Sequence, residues 1–257
     1  MKTKWISNKL GQRYLIDATD KYMERCLSAK GYQMRNWEFT QSLVPPTGTA
    51  IDVGANVGMN SINYSNYFDQ VISFEPHAEV FHCLNETLSA NDCANVKTIQ
   101  AAVGKTQGQG LLLKCPDTFG NFLAPIGYKN KTRETATVDL INIDSLNLTD
   151  VTFIKIDVEG NEMAVLEGAE KTILKYKPVI QIEIKPQMLK RQLTTPHFLW
   201  NWLTEKGYTP RHFAGDVSNP KFIDSEKFGI TSKYGIEYKI VFDDIKKNLV
   251  DFWFICP

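Results

Sequence analysis

Ala50-Ile51-Asp52-Val53-Gly54-Ala55-Asn56-Val57-Gly58-Met59-Asn60-Ser61 passes from a short apolar strand, through a loop with two glycines, toward a helix that begins near Gly58. Small residues at such a turn let backbone approach a ligand closely, and the start of the helix offers N–H groups without internal partners. The dinucleotide fingerprint G-x-G-x-x-G is not met, because Asn56 and Met59 stand at its second and third glycine positions. A nicotinamide or flavin cofactor is therefore disfavoured. A Walker loop is excluded, since no Gly-Lys-Ser/Thr follows.

Downstream of this loop, short apolar runs alternate with amphipathic segments. Val71-Ile72-Ser73-Phe74, Val96-Lys97-Thr98-Ile99, Val151–Ile156 and Val179–Ile184 read as further strands. Val80, Phe81, Leu84 and Leu88 form one helical face, and Val165, Leu166, Ala169 and Ile173 form another with the same spacing. Strands alternating with helices imply crossover connections, hence a doubly wound, mostly parallel α/β sheet covered on both faces. Two stretches break the alternation. An insertion at about 105–145 holds extended segments Gly110–Cys115 and Thr135–Ile141 around a loop at 116–134. Near the end, Glu237–Phe242 and Val250–Cys256 flank the polar turn 243–247, a hairpin signature that gives the sheet an antiparallel edge. Upstream, residues 1–48 read as a helical, irregular lead ending in the breaker cluster Leu43-Val44-Pro45-Pro46-Thr47-Gly48. The expected division is this lead and one domain over 49–257, whose region 187–257 lies on the substrate side.

The second strand ends Phe74-Glu75-Pro76, with Glu75 23 residues after Asp52. That is where a neighbouring parallel strand would deliver an acid to a ribose. Pro76 then turns the chain across the place for a purine. Taken singly, these features also fit a strand-terminal acid, a tight turn and a helix cap; their joint spacing favours a nucleoside site. The fourth strand runs Lys155-Ile156-Asp157-Val158-Glu159-Gly160-Asn161-Glu162. Alternation sends Lys155, Asp157 and Glu159 to one side of it, at the end where open α/β sheets bind ligands. If the fourth and fifth strands are neighbours, Glu183 on the fifth can pair with Lys155 beside the site. Glu162 fits a first-turn helix charge as well as a site residue.

These motifs together resemble the FkbM-type family of S-adenosylmethionine-dependent methyltransferases. The matching residues are Asp52-Val53-Gly54-Ala55-Asn56-x-Gly58-x-x-Ser61, Phe74-Glu75-Pro76 and Lys155-Ile156-Asp157-Val158-Glu159-Gly160-x-Glu162, with Val165–Ala169 and Ile182-Glu183 following. The resemblance covers about residues 35–186 and includes Trp37-Glu38. It implies a seven-stranded class I, Rossmann-like methyltransferase fold with S-adenosyl-L-methionine as cofactor. It also implies that Gly54, Ala55, Asn56, Gly58 and Ser61 line the methionine part, with Asp52 holding that loop or the amino group. Glu75 and Pro76 would then serve the nucleoside, and Asp157 would lie near the sulfonium and the incoming nucleophile. Family members mostly methylate hydroxyl oxygens on sugars or secondary metabolites.

Catalytic candidates are accordingly Asp157, Glu159, Lys155 and Glu183, the first two as proton acceptors, with His197 behind them as a helix-start histidine. His77 and His82 read as ordinary helix residues. A divalent metal on Asp157 and Glu159 lacks an evident third ligand, so no metal is expected. The alternatives are methylation of a nucleic acid, protein or lipid, an NAD-dependent oxidoreductase, or a non-catalytic nucleoside-binding protein.

Composition sets the outer bounds. The 257 residues carry 29 Lys+Arg against 29 Asp+Glu, a formal net charge of zero, unlike a domain that lives on nucleic acid. The acids beside the site suit a neutral, hydroxyl-rich small molecule or glycan rather than a polyanion. No apolar run approaches the ~20 residues of a membrane span. Five scattered cysteines without a C-x-x-C pair, and a charged N-terminal stretch without an apolar core, place the expected site of action in the cytoplasm.

Overall fold

A computed structural model describes residues 1–29, 34–115, 120–125, 128, 133–216, 219–224 and 251–256. The chain opens with an antiparallel hairpin, β1 (Thr3–Ser7) and β2 (Arg13–Asp17), followed by helices α1 (Lys21–Ser28) and α2 (Met34–Leu43). The lead, expected to be helical and irregular, thus begins as β-structure. The short Ile6/Tyr14/Ile16 pattern was hidden among charges, and the hairpin is fixed by packing rather than by propensity: Tyr14, Leu15 and Ile16 bury against helix α4 (Ala78–Ala90). There the Leu15 N–H donates to Thr87 Oγ1 at 3.0 Å.

The central unit follows as β3 (Thr49–Val53), α3 (Met59–Ser65), β4 (Gln70–Phe74), α4 and β5 (Val96–Ile99). Before the insertion comes β6 (Ala102–Val103), and the insertion contributes β7 (Gly108–Leu113), β8 (Phe122–Leu123) and β9 (Thr135–Ile141), which join β6 in a small separate sheet of order β6-β9-β7-β8. Then come β10 (Val151–Ile156), α5 (Glu162–Gly168), α6 (Glu170–Tyr176), β11 (Val179–Glu183), α7 (Pro186–Leu189), α8 (Pro196–Thr204), β12 (Thr209–Asp216), β13 (Asn219–Asp224) and β14 (Asp251–Ile255). The helix expected through Ala169 is broken there into α5 and α6. Gly168 packs so closely on Gly104 that a Cβ would fall 2.1 Å from its carbonyl oxygen. The Asp144 carboxylate then caps the restarted helix, accepting from the Lys171 and Thr172 N–H groups.

The main sheet runs β13-β12-β14-β11-β10-β3-β4-β5, with β11, β10, β3, β4 and β5 parallel and β14, β12 and β13 antiparallel. The expected seven-stranded mixed sheet is present, and β13 extends its edge by one strand. β14, from the predicted hairpin, lies between β11 and β12, whereas Glu237–Phe242 and the turn at 243–247 fall outside the described residues, as does most of the 116–134 loop. The chain leaves β3 toward β4 on one side, while β10 and β11 lie on the other. The crevice at the carboxyl ends of β3 and β10 is therefore the topological switch point, where such sheets bind ligands.

Both faces of the sheet are covered. Ile51, Val53, Ile154, Ile156, Ile180 and Ile182 pack under α5, α6 and α8. On the opposite face, Phe153, Val71 and Trp253 meet Phe39, Tyr64 and Phe68. Phe68 stacks on Phe153 at a centroid distance of 5.8 Å. That second face also carries a buried polar row, in which the strand register sets Ser73 beside Asp52, Asp52 beside Lys155, and Lys155 beside Gln181.

Candidate active site

The loop after β3 and the end of β10 meet because residue 54 is glycine. Gly54 has φ +89°, and a Cβ there would fall 1.9 Å from the Asp157 carbonyl oxygen. The Gly54 and Ala55 N–H groups donate to the Phe74 carbonyl, tying the loop to β4. Asn56 takes a left-handed φ of 51°, and its N–H donates to Glu75 Oε2 at 3.1 Å. The other oxygen of Glu75 accepts from the His77 N–H at 2.9 Å. Burial pushes the Glu75 carboxyl up to about 7, although both backbone donors favour its charge. His77 itself caps α4 through Nδ1.

One cavity is walled by Gly54, Ala55 and Asn56, by Glu75 and Pro76, and by Lys155, Asp157 and Glu159. Sequence reasoning named all eight. Asp52, Gly58 and Ser61 stand behind that wall instead of lining it. Ser61 Oγ donates to Asp52 Oδ2 at 2.7 Å and lies 2.9 Å from Ser73 Oγ, so the two residues brace the loop from below. A Cβ on Gly58 would meet Leu84 at 3.0 Å, so its smallness serves helix packing rather than ligand approach.

The β10 side is built from charge. Lys155, 2% exposed, donates to Asp157 Oδ2 at 2.9 Å. Burial opposes the Asp157 charge, but Lys155, Lys185 and hydrogen bonds from Glu183 and Lys155 outweigh it and hold the carboxyl at about 2. Burial likewise works against the Lys155 ammonium, and the carboxylates of Asp157, Asp52 and Asp251 keep it charged. β10 and β11 are neighbours, yet Lys155 does not pair with Glu183. Lys185 takes that partner, at 2.6 Å from Glu183 Oε2 and 2.6 Å from Glu159 Oε1. Each lysine takes the acid two residues from it in its own chain segment, Lys155 with Asp157 just past β10 and Lys185 with Glu183 at the end of β11. Glu183 is pushed well above the carboxylate range by burial and by Asp157, with which it shares a hydrogen bond.

Asp157, Glu159 and Glu183 bring carboxylate oxygens within 4.8 Å of one another, so the third acid that sequence reasoning lacked for a cation site is Glu183. Lys185 was missed because a lysine after a strand carries no motif. The cavity wall supplied by the insertion, Asn121, Phe122 and Leu123, was equally illegible. Arg191 lies over the Phe122 ring at 4.4 Å, and Gln192 Nε2 donates to the Leu123 carbonyl at 2.6 Å, so β8 is tied down over the cavity. His197 meets Asn201 within α8 and is not part of the cavity wall. Glu162 is buried and accepts from the Gly160 N–H, with a carboxyl raised to about 7 by burial.

The FkbM methyltransferase domain matches residues 52–210. Methyltransferase sdnD of Sordaria araneosa is 26% identical over 162 residues, half of this chain and 62% of that protein. Methyltransferase 1 of Beauveria bassiana is 24% identical over 151 residues, 49% of this chain and 60% of that protein. The match thus spans less than two thirds of either relative. The crystal structure of methyltransferase FkbM from Methylobacillus flagellatus superposes with a TM-score of 0.53 at 17% identity, covering 86% of this chain and 47% of that one. The fold is that of the class I methyltransferases, the cofactor is S-adenosylmethionine, and the chain belongs to the FkbM methyltransferase family.

Proposed function

We propose that the chain methylates a hydroxyl oxygen of a sugar, glycan or other small metabolite. The carrying observation is that Asp157, kept ionised by two lysines, walls the same cavity as the Gly54–Asn56 loop and Glu75. This donor set suits the cofactor. Glu75 offers a carboxylate to two ribose hydroxyls and Asp157 a fixed negative charge to a sulfonium, which leaves Glu159 Oε2, buried and without a partner among the described residues, for the methyl acceptor. When bound, the cofactor supplies a methyl group made electrophilic by that sulfonium.

The chain's own work is then alignment and proton removal. Holding the acceptor in line supplies much of the acceleration, and a positioned carboxylate adds roughly 10²–10⁴-fold. Asp157, held at about 2, is a weak proton acceptor at neutral pH and is better suited to charge stabilisation. Glu159, raised chiefly by burial, is the better acceptor. The acids around the cavity support a neutral, hydroxyl-rich acceptor over nucleic acid. No helix among the described residues is long and apolar enough to cross a membrane. All five cysteines are free, which supports a reducing compartment such as the cytoplasm. We further propose residues 49–257 as the methyltransferase unit, with 1–48 as its lead.

The test compares S-adenosylmethionine with S-adenosylhomocysteine, which lacks the sulfonium charge, by calorimetry. Asp157→Asn is expected to weaken the charged ligand about tenfold more than the neutral one. An equal loss for both would remove Asp157 from the sulfonium. Release of S-adenosylhomocysteine with a panel of hydroxylated sugars and small metabolites tests the acceptor class. Transfer to RNA or protein alone would overturn it.

A further inference from the structure

The three-acid cluster beside the cavity has an internal cation, and its position is informative. Carboxylate oxygens of Asp157, Glu159 and Glu183 lie within 4.8 Å of one another, a spacing at which they repel unless a cation or proton intervenes. Lys185 Nζ reaches Glu159 Oε1 and Glu183 Oε2, each at 2.6 Å. Lys155 satisfies Asp157 from the other side at 2.9 Å. Both lysines are largely enclosed, with 15% and 2% of their side-chain surface exposed.

Glu159 is held in an unusual way. It adopts φ 57°, a left-handed conformation that side-chain-bearing residues rarely take, and Gly160 follows at φ 122°. Glycine is required there, because a Cβ would fall 2.6 Å from the Met188 carbonyl oxygen. This turn brings Glu159 to the cavity wall with 9% of its surface exposed. Lys185 occupies Oε1, while Oε2 is buried and has no hydrogen-bond partner among the described residues. A buried carboxylate oxygen without a donor carries a desolvation penalty that a hydroxyl placed against it would relieve.

Resting on the methyltransferase reading above, we propose that Lys185 is a positioning residue of the site: its ammonium binds Glu159 and Glu183 where a divalent cation would otherwise sit, and it fixes Glu159 so that Oε2 receives the acceptor's proton. The acceptor hydroxyl donates to Oε2 of Glu159. Its oxygen lone pair forms the bond to the methyl carbon as the carbon–sulfur bond breaks, the released pair remaining on sulfur. The hydroxyl proton ends on Oε2. Lys185 touches none of the reacting atoms and acts through Glu159.

The decisive experiment uses Mn²⁺ as probe and needs neither cofactor nor acceptor. Freed of the ammonium, the three carboxyls are a hard-oxygen site once the cation displaces the proton that Glu183 shares with Asp157. Lys185→Ala is therefore expected to bind Mn²⁺ at least about tenfold more tightly than wild type in titrations followed by electron paramagnetic resonance. Lys185→Arg, which restores a cation, is expected to exclude Mn²⁺ like wild type, and adding Glu183→Gln to Lys185→Ala is expected to abolish the gain. Should Lys185→Ala not fold, Lys185→Gln carries the same measurement. Equal Mn²⁺ binding by wild type and the folded variant overturns the proposal, as does no binding by either. A second readout is the pH profile. Besides Lys185, the charged groups facing Glu159 are Asp157, Glu183, Glu162 and Arg191. Loss of Lys185 leaves mostly acids there, so the acid limb of turnover is expected to move upward by about one unit, and Lys185→Arg to restore it. An unmoved limb counts against the positioning role. If wild type transfers to no hydroxyl acceptor while the Mn²⁺ results hold, the acceptor reading and the proton route through Oε2 fail, and the hold of Lys185 on Glu159 and Glu183 stands.

Discussion

Glu75 and Asp157 face the same cavity from opposite sides of the switch point, and their carboxyls are driven in opposite directions. Glu75 is held by two backbone N–H groups, and burial wins, raising it to about 7. Asp157 is held by lysines, and charge wins, lowering it to about 2. Burial disfavours both charges; what differs is whether the partner is a dipole or an ion. The β4 side of the cavity is thus poised to change charge near neutrality, while the β10 side keeps its charge fixed. That division suits a site that grips a neutral ribose on one side and a cationic sulfonium on the other.

The comparison breaks most severely at Lys155. Lys155→Met removes the buried cation that Asp157, Asp52 and Asp251 share. Leaving buried carboxylates uncompensated costs about 3–5 kcal/mol, so urea unfolding is expected to show a loss of that size. The pH dependence sharpens the point. With a depressed carboxyl, the stability that Asp157 contributes is present above about 4, its ordinary value, and is lost as pH falls toward 2. In Lys155→Met the acid-side loss is expected to shrink. A variant as stable as wild type, with wild-type turnover, would mean that the lysine is incidental.

Asp52 stands between the two regions, in register with Ser73 on one side and Lys155 on the other. It is fully buried, Oδ2 accepts from Ser61, and Oδ1 has no partner among the described residues. Ser61→Ala deprives that carboxylate of its hydroxyl donor, for an expected loss of about 2 kcal/mol in the same unfolding experiment. Because Ser61 braces the loop without lining the cavity, cofactor affinity at pH 8 is expected to change less than stability does. A large affinity loss in a fully stable Ser61→Ala would return Ser61 to the cavity wall.

How much of this was legible in sequence follows from what each part depends on. The parallel strands, the glycine loop, Glu75 and the Lys155–Asp157–Glu159 run could be read because alternation and spacing are local properties of the chain. The break at Ala169 could not, because it arises from Gly168 meeting Gly104, far away in sequence. The N-terminal hairpin is similar: its apolar residues gain their meaning only against α4. At the site, residue types were readable but pairings were not. Alternation puts Glu183 and Lys185 on one side of β11, as it does Lys155 and Asp157 on β10, but that each lysine takes its own i,i+2 acid rather than the acid across the strands is decided by side-chain positions that neither pattern records. Phe122 reaches the cavity through an insertion whose fold back over the switch point has no short-range signature.

The smallest expected effect tests the titrating side directly. Ribose hydroxyls donate to Glu75 best when it is ionised, so cofactor binding draws its proton off. The free carboxyl sits at about 7, and linkage then makes affinity rise with pH up to that point and flatten above it. By calorimetry, S-adenosylhomocysteine is expected to bind up to about tenfold more weakly per unit below pH 7. Glu75→Gln is expected to abolish this slope and to weaken binding about tenfold at about pH 8, where the wild-type group is charged. In the free protein the sign reverses. A raised carboxyl contributes stability that is present below about 4.5 and lost as pH rises through 7, so the amide variant is expected to be the more stable one at alkaline pH. Asp157→Asn offers the contrast, since its carboxyl is ionised across the whole range and its removal leaves the slope in place. A wild-type affinity independent of pH would take Glu75 away from the ribose, and the two sides of the cavity would then differ in charge without differing in task.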